Sequence, residues 1–424
     1  MRNKRIYLDY AATTPVDKEV FKEMKPYFSE KFGNAMSIHS FGQVALAAVD
    51  KARERAAKFF GTTPYEIIFT SGATESNNLA IKGVVKSYYS QFSTKYESGT
   101  NIRITNKNFV KPHIITTAFE HHCVLHACKS VEKEGLAEVT YLRPGKDGLI
   151  KTAEIKRHIR SNTILVSVMY VNNEIGTVQP IKEISKLIKL TNDQRPTANH
   201  RIVFHTDATQ AINYFDCDVN KLGVDMLSMS AHKIYGPKGV GLLYIRKGTP
   251  VKQIKYGGDQ EYKMRAGTHN VPGIVGLGKA IEQVRSSKFK VQNKKILELR
   301  DYLIKRVLKE IPKSKLNGSK IKRSPNNANF SFKNIEGEGL ILSMDMEGIA
   351  CSTGSACSSG ALTPSHVLLS IGLKPEDAHG SLRMTLGKYT TKKDIDTAVD
   401  KLKEVITRLR KISGHVLKDY YNTR

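Results

Sequence analysis

The sequence contains no long apolar run, and its absence argues against a membrane-spanning helix. No stretch of the 424 residues approaches the roughly 20 apolar residues that cross a bilayer. The basic start, residues 1–5, lacks the apolar core of a secretory signal, and strand-like residues begin at Ile6. Only five cysteines are present, and this odd number indicates free thiols in a reducing compartment. We therefore expect a soluble, cytoplasmic protein.

Acidic residues are scarce relative to basic ones. The chain has 40 Asp and Glu against 67 Lys and Arg, a formal net charge of +27. Such a charge suits an anionic partner or cofactor. The basic residues are nevertheless spread over the chain, without a dense block or a recognised nucleic-acid motif. A generally basic surface is therefore expected, with no direct contact to nucleic acid.

Residues 201–245 place an acid and a lysine after two consecutive apolar strands. The strand at 202–204 leads to Asp207, and the strand at 226–229 leads to Lys233 and a glycine-rich turn. A lysine amine can form a Schiff base with the aldehyde of pyridoxal phosphate, while a carboxylate pairs with the protonated pyridine nitrogen. A lone lysine is usually a solvated surface residue, and a lone aspartate often caps a helix. The two motifs together favour a pyridoxal phosphate site.

Strands alternate with helices from Ile67 to Ile245, which predicts a mainly parallel sheet with helices on both faces. The expected strands are 6–10, 67–70, 113–117, 164–171, 202–204, 226–229 and 242–245. Polar clusters follow several of them, and ligands bind beyond the carboxyl ends of such strands. In one cluster, residues 71–78, helix amides could hold a phosphate or merely be capped, and both interpretations remain open.

The pattern changes after residue 245. A helical region over 274–311, a strand at 327–332, a helix at 337–346, a strand at 381–385 and a closing helix over 392–412 predict a smaller α+β unit. The 424-residue length also suits two domains. Residues 88–110 are polar and without periodicity, so we interpret them as a surface insertion.

The motifs resemble those of the cysteine desulfurases of the NifS/IscS type, within the class V aminotransferase family. The resemblance covers nearly the full length and rests on TSGATESNN from Thr70, VNNEIG from Val171, TDATQ from Thr206, HKIYGPKG from His232, RAGT from Arg265 and GSAC from Gly354. It implies an α/β, fold-type I pyridoxal phosphate transferase with a mainly parallel seven-stranded sheet. Residues 16–285 would form the large cofactor-binding domain. Residues 286–424, together with 1–15, would form a small α+β domain carrying the catalytic cysteine loop.

The resemblance also implies roles for individual residues. Lys233, Cys357 and His121 would be catalytic, with His121 stacked on the cofactor ring and Asp207 paired with its nitrogen. The other cofactor contacts would come from Ala73, Thr74, Asn173, Gln210, Ser230, His232 and the neighbouring subunit's Thr268. Arg383 would clamp the substrate carboxylate, because a guanidinium fork matches it. Asn34 and Asn173 would also bind substrate, and no metal is implied.

The implied reaction removes sulfur from L-cysteine, giving L-alanine and a persulfide on Cys357. The implied partners are a second copy of the chain and a sulfur-acceptor protein, either an iron–sulfur scaffold or a tRNA-thiolation protein. Cys357 could also contact an iron–sulfur cluster transiently. The other cysteines that we weighed, Cys128, Cys217 and Cys351, are interpreted as small buried hydrophobes. The end of the chain lacks the long tail of IscS-type proteins, which leaves the acceptor open.

Two alternatives belong to other classes of protein. Another enzyme on the same scaffold, such as a selenocysteine lyase or an aminotransferase, is compatible with the fold. An aminotransferase has no need of Cys357, whereas the sequence is less decisive against a selenocysteine lyase. A basic binding protein without catalysis would have no reason to retain Lys233, Asp207, His121 and Arg383 together.

Overall fold

The computed structural model describes residues 5–92, 109–195, 200–353 and 364–422. Within these residues the main sheet has seven strands. In spatial order they are β2 (Ile67–Thr70), β8 (Gly241–Ile245), β7 (Met226–Ser230), β6 (Val203–Asp207), β5 (Thr163–Ser167), β3 (His113–Thr117) and β4 (Glu138–Leu142). Strand β8 is antiparallel to both neighbours, and the strands from β7 to β4 are parallel. The predicted mainly parallel seven-stranded sheet is confirmed.

Apolar side chains of single strands point to opposite faces of this sheet. Leu165 and Met226 belong to the buried cluster on one face, whereas their chain neighbours Val166 and Leu227 belong to the cluster on the other. Both faces are thus covered, as expected for a parallel sheet. The helices of this part are α1 (Lys18–Met24), α2 (Pro26–Ser29), α3 (Ser40–Phe60), α4 (Ala73–Tyr89), α5 (His122–Lys133), α6 (Thr152–His158), α7 (Ile181–Asp193), α8 (Val219–Leu222) and α9 (Val271–Val284).

A second group of elements surrounds a separate apolar cluster, which contains Leu8 and buried residues between 296 and 406. Its strands are β1 (Ile6–Tyr7), β9 (Ser314–Leu316), β10 (Asn327–Phe332), β11 (Ile349–Ala350) and β12 (Ser381–Thr385). Its helices are α10 (Ser287–Glu310), α11 (Gly337–Met346), α12 (His366–Ser370), α13 (Pro375–His379) and α14 (Lys392–Asn422). Strand β1 pairs with β11, and β10 lies between β12 and β9. This arrangement supports domain boundaries at 15/16 and 285/286, which stay a prediction.

Some boundaries differ from those expected. The helical segment after β1 is divided before Pro26 into α1 and α2, because proline lacks the amide that would continue a helix. The long helical region breaks at Ser286, whose hydroxyl accepts a hydrogen bond from Phe289 N (3.2 Å) and so caps α10. No helix among the described residues is long and apolar enough to span a bilayer.

The predicted insertion was wrong at its start. Tyr88 and Tyr89 belong to α4 and are buried, 5% and 4% exposed. Their rings contact Phe92 and Phe109, so this end of α4 is fixed by aromatic packing. The rest of the insertion, residues 93–108, lies outside the described residues.

Candidate active site

A cavity of about 520 Å³ opens where the main-sheet strands end. Asp207 is the last residue of β6 and Ser230 the last of β7, and the turn after β2 supplies a third wall. The site therefore lies beyond the carboxyl ends of the strands, as expected. The predicted residues that line it are Ala73, Thr74, His121, Asn173, Asp207, Gln210, Ser230, His232, Lys233 and Arg383.

Lys233 ends a short 3-10 turn that follows β7, and its amine reaches across the cavity. Nζ donates to the carbonyl oxygens of Ala11 and Ala12, 2.6 Å away in each case. Gln210 Nε2 donates to the same Ala11 oxygen at 3.0 Å. The segment that follows β1 thus holds the lysine amine at the cavity wall.

Asp207 is buried, and two donors fix the direction of its carboxylate. Asn77 Nδ2 donates to Oδ2 at 2.7 Å, and the amide of Thr209 donates to Oδ1 at 2.9 Å. Asn77 lies one helical turn after Ala73, so both residues lie on the same face of α4, where Ala73 lines the cavity and Asn77 contacts Asp207. The carboxylate is therefore held in one orientation, as a partner for a ring N–H must be.

His121 caps α5, and its ring is held beside Cys123. Nδ1 lies 3.0 Å from the Cys123 sulfur and accepts from the Cys123 amide at 3.3 Å. Burial lowers the pKa of His121 and the charge of Lys233 lowers it further, although Asp207 opposes both effects. Burial, reinforced by Asp207, raises the pKa of Cys123 to about 12. A neutral imidazole and a protonated thiol result at neutral pH, and a neutral ring suits stacking.

The start of α4 forms a cradle for an anion. The helix begins at Ala73 after Gly72, whose φ of +152° favours glycine. A Cβ on Gly72 would lie 3.6 Å from the Ser230 hydroxyl, an ordinary contact distance, so Ser230 lies beside the start of α4. His232 stands beside it, its Nδ1 3.1 Å from Thr13 Oγ1. Burial, then the charges of Lys233 and Lys238, lower the pKa of His232 to about 4. Helix amides and polar side chains here suit a phosphate.

Arg383 in β12 is 3% exposed and enters the cavity from the opposite side. Nη1 donates to the carbonyl oxygen of Asn173 and Nη2 to Asp9 Oδ1, each at 2.9 Å. Among the described residues, four buried polar atoms of this site have no hydrogen-bond partner: Arg383 Nε, Asn173 Oδ1, Asn77 Oδ1 and Thr209 Oγ1. Buried polar groups are rarely left unpaired, which indicates a polar ligand or water in the cavity.

Two predicted residues, Thr268 and Asn34, do not line this cavity, and a third, Cys357, is not among the described residues. Thr268 is exposed and lines a separate cavity of about 60 Å³, which shares Ser71 and Gly239 with the main one. Asn34 is exposed, and its side chain accepts from the amide of Met36 at 3.0 Å. Cys357 lies outside the described residues. The roles predicted for these three stay predictions.

The sequence analysis missed three cavity residues in particular, Cys123, Thr209 and Lys238, and also Asn77, which does not line the cavity but donates to Asp207. Asn77 and Thr209 lie within motifs that had been recognised, and helical spacing from Ala73 would have placed Asn77 in the site. Nothing in the sequence indicated that the Cys123 thiol contacts His121.

Comparison with known proteins decides the family. A family model described as aminotransferase class-V matches residues 6–398. A curated cysteine desulfurase IscS of Dictyoglomus turgidum is 50% identical over 412 residues, covering 97% of each chain. The chain belongs to the cysteine desulfurases of the class V aminotransferase family. The resemblance inferred from the sequence motifs is confirmed.

Further relatives agree. The cysteine desulfurase IscS of Methanosarcina thermophila is 46% identical over 99% of this chain and 96% of its own. A solved NifS-like protein matches with a TM-score of 0.83 and 35% identity, over 95% of this chain and 99% of its own. SspA, solved in complex with cysteine, gives a TM-score of 0.75 and 36% identity, over 91% and 100%. The predicted fold-type I class is confirmed.

As a member of this family the desulfurase depends on pyridoxal phosphate. The residues present fit the cofactor on their own chemistry: a lysine amine, a carboxylate with fixed direction, a neutral imidazole and an anion cradle converge on one cavity. The buried polar atoms without partners in this region are compatible with a polar occupant.

Proposed function

We propose that this desulfurase takes sulfur from free L-cysteine and transfers it to Cys357. The observation that carries the proposal is the placement of Lys233 and Arg383 in one cavity, joined by the segment after β1. Lys233 Nζ contacts the carbonyl oxygens of Ala11 and Ala12, and Arg383 contacts Asp9 two residues earlier. An amino acid whose carboxylate binds Arg383 would thus lie in the same cavity as the lysine amine.

Lys233, Asp207 and His121 would hold the cofactor. Lys233 would bind its aldehyde carbon, Asp207 would accept from its ring nitrogen, and the His121 ring would cover one face. When bound, pyridoxal phosphate supplies an electron sink for charge that develops at the substrate α-carbon. The amides and side chains around Ala73, Thr74, Ser230 and His232 would hold its phosphate.

The amine of Lys233, once released by the incoming substrate, would take the proton from the α-carbon. It is suited to this because it stays in the cavity, in reach of the Ala11 and Ala12 carbonyls. Arg383 would hold the substrate carboxylate with its guanidinium donors, of which the buried Nε lacks a partner among the described residues.

Cys357 would then attack the substrate sulfur as a thiolate. The bond between substrate Cβ and sulfur breaks, a bond between the two sulfur atoms forms, and Cβ gains a proton. The products are L-alanine and a Cys357 persulfide, with no external oxidant or reductant. The similarity to SspA, whose structure was solved with cysteine, supports this substrate.

We also propose a homodimer. Thr268 is exposed and does not line its own chain's main cavity, which supports a contact with the partner's phosphate site. A large apolar surface from α2 to α3 is exposed as well, with Phe28, Phe32, Ile38 and Phe41 at 62%, 65%, 92% and 54%. Apolar patches of this kind usually mark protein interfaces, and a two-fold assembly would cover both copies.

The sulfur acceptor would be an iron–sulfur scaffold or a tRNA-thiolation protein, with transient contact between Cys357 and a cluster. A cytoplasmic location is supported by the described cysteines Cys123, Cys128, Cys217 and Cys351, which are all free thiols.

The test is to locate the transferred sulfur. Wild-type protein incubated with L-cysteine should release alanine and carry one extra sulfur atom on Cys357, found by fragmentation mass spectrometry. Cys357→Ser should bind cofactor and substrate but transfer essentially no sulfur, because a serine hydroxyl cannot hold a persulfide. Cys351→Ser is the matched control and should remain active. Extra sulfur on Cys351, or wild-type turnover by Cys357→Ser, would overturn the assignment.

A further inference from the structure

The loop between β8 and α9 contains a buried carboxylate that the proposed chemistry does not use. Glu261 is 4% exposed, and its two oxygens accept four hydrogen bonds. Arg53 donates to both, Nη1 to Oε2 at 2.8 Å and Nη2 to Oε1 at 2.7 Å. The amide of Phe69 in β2 lies 2.7 Å from Oε2, and His269 Nε2 lies 2.9 Å from Oε1. The carboxylate thus joins α3, β2 and the far end of its own loop.

The backbone around Glu261 adopts an unusual conformation. Glu261, Tyr262 and Lys263 have φ angles of +47°, +55° and +64°. Non-glycine residues seldom adopt this conformation even singly, and it persists where the surroundings enforce it. The guanidinium of Arg53 also lies 4.7 Å from the Phe69 ring and 5.1 Å from the Tyr262 ring. The Arg53–Glu261 pair is therefore the group that fixes this turn.

Thr268 lies between two anchors of this loop. On one side, Arg265 Nε pairs with Glu75 Oε1 at 2.9 Å, and Glu75 accepts from the Ser71 amide at 2.7 Å beside the anion cradle. On the other side, His269 pairs with Glu261. Thr268 itself is exposed and has no hydrogen-bond partner among the residues described here. Its position is therefore set by its neighbours rather than by its own contacts.

We propose that Glu261, with Arg53 and His269, is a positioning group that holds Thr268 ready to complete the phosphate site of the partner subunit. This inference rests on the proposed dimer and on the role proposed for Thr268. Glu261 does not line the main cavity of its own chain, so its effect on cofactor binding would be exerted in the other subunit.

Mixed dimers test this directly. Glu261→Gln keeps the size of the side chain but weakens the pairing with Arg53 and His269. The homodimeric variant should bind pyridoxal phosphate about tenfold more weakly, the equivalent of one hydrogen bond to a charged oxygen. The measurement is titration of apo-protein, followed by the absorption band of lysine-bound cofactor. Asp225→Asn is the matched control. Asp225 is also buried and accepts from an amide, Phe204 N, at 2.9 Å and from Arg201, but it lies before the amino end of β7, whereas the cavity lies at the carboxyl end of this strand.

The decisive sample pairs one Glu261→Gln chain with one Lys233→Ala chain, isolated with two affinity tags. Its single intact Lys233 belongs to the Glu261→Gln chain, whereas the Thr268 that would serve that site comes from the other chain, with Glu261 intact. The wild-type affinity should therefore return. A tenfold defect that persists in the mixed dimer would show that Glu261 acts within its own subunit and would overturn the inference, as would a Glu261→Gln homodimer with wild-type affinity.

A mixed dimer of one Thr268→Ala chain and one Lys233→Ala chain distinguishes the proposed intersubunit contact of Thr268 from the proposed positioning role of Glu261. If the wild-type affinity for pyridoxal phosphate returns in the Thr268→Ala mixed dimer but not in the Glu261→Gln mixed dimer, only the positioning role of Glu261 is refuted. If the affinity stays weak in both mixed dimers, the proposed contact of Thr268 with the partner subunit is refuted, and the inference about Glu261 is refuted with it. If Glu261→Gln does not fold, His269→Ala removes one anchor, leaves the Arg53–Glu261 pair intact, and should give the same recovery in the mixed dimer.

Discussion

Glu120 allows a quantitative test of how burial sets protonation next to the cavity. Its side chain is fully buried, one residue before His121. Oε1 accepts from the Thr117 hydroxyl and the Met169 amide, both at 2.8 Å, and Oε2 has no partner within the described ranges. Burial raises the pKa of Glu120 from 4.5 to about 8, outweighing the two hydrogen bonds. The carboxyl is therefore protonated in the folded protein at neutral pH and ionised in the unfolded chain.

Stability should respond to pH in one direction. Between pH 4.5 and about 8 the folded protein holds one more proton at Glu120 than the unfolded chain does, so the free energy of unfolding falls as pH rises. At about 1.4 kcal/mol per pH unit, the cumulative loss approaches about 5 kcal/mol at the upper end of this window. Glu120→Gln removes the titration while keeping an oxygen acceptor for Thr117 and Met169. The variant should therefore gain stability relative to wild type as pH rises.

The assay is urea unfolding of wild type and Glu120→Gln at about pH 5, 6.5 and 8, because the difference between the two curves cancels other titrating groups. Glu30→Gln, which changes an exposed carboxylate, is the control and should follow wild type at each pH. A stability difference between Glu120→Gln and wild type that does not change with pH would refute the reasoning.

Three further predictions concern the cavity. Lys233→Ala should abolish the yellow absorption band of bound cofactor, because the covalent link needs the amine, and a yellow variant would refute this role. Asn77→Leu should weaken cofactor binding about tenfold, because Asp207 loses its 2.7 Å donor, and an unchanged titration of the apo-protein would contradict this. Cys123 should resist iodoacetamide near neutral pH in the folded protein, because burial raises its thiol pKa to about 12, and rapid labelling found by mass spectrometry would contradict this.

Elements bounded by clear polar or glycine residues could be predicted to the residue. The predicted bounds of β2, β3, β10, α11 and β12 agree with those observed, because each is a short segment whose apolar residues stand out from the residues that flank it. The two-residue strands β1 and β11 were misjudged or missed, since their pairing depends on contacts between residues more than 340 positions apart. The end of α4 was missed because Tyr88 and Tyr89 owe their order to packing against Phe92 and Phe109, which local propensity does not reveal.

The site, like the fold, has parts that could be predicted from the sequence and parts that could not. Its chemical groups lie in motifs at strand ends, so their meeting in one cavity could be predicted from the parallel order of the strands. The contacts that hold them could not be predicted, because they join distant parts of the chain. Residues 9–14 make most of these contacts: Asp9 pairs with Arg383, the Ala11 carbonyl accepts from Lys233 and Gln210, and Thr13 contacts His232. Asp9 is the only carboxylate of this segment, and the Ala11 and Ala12 carbonyls contribute as many of these contacts as its side chains do. The Lys233 amine, which would bind the cofactor, and the Arg383 guanidinium, which would bind the substrate, are therefore held by the same short stretch of chain. A shift of that stretch would displace both groups.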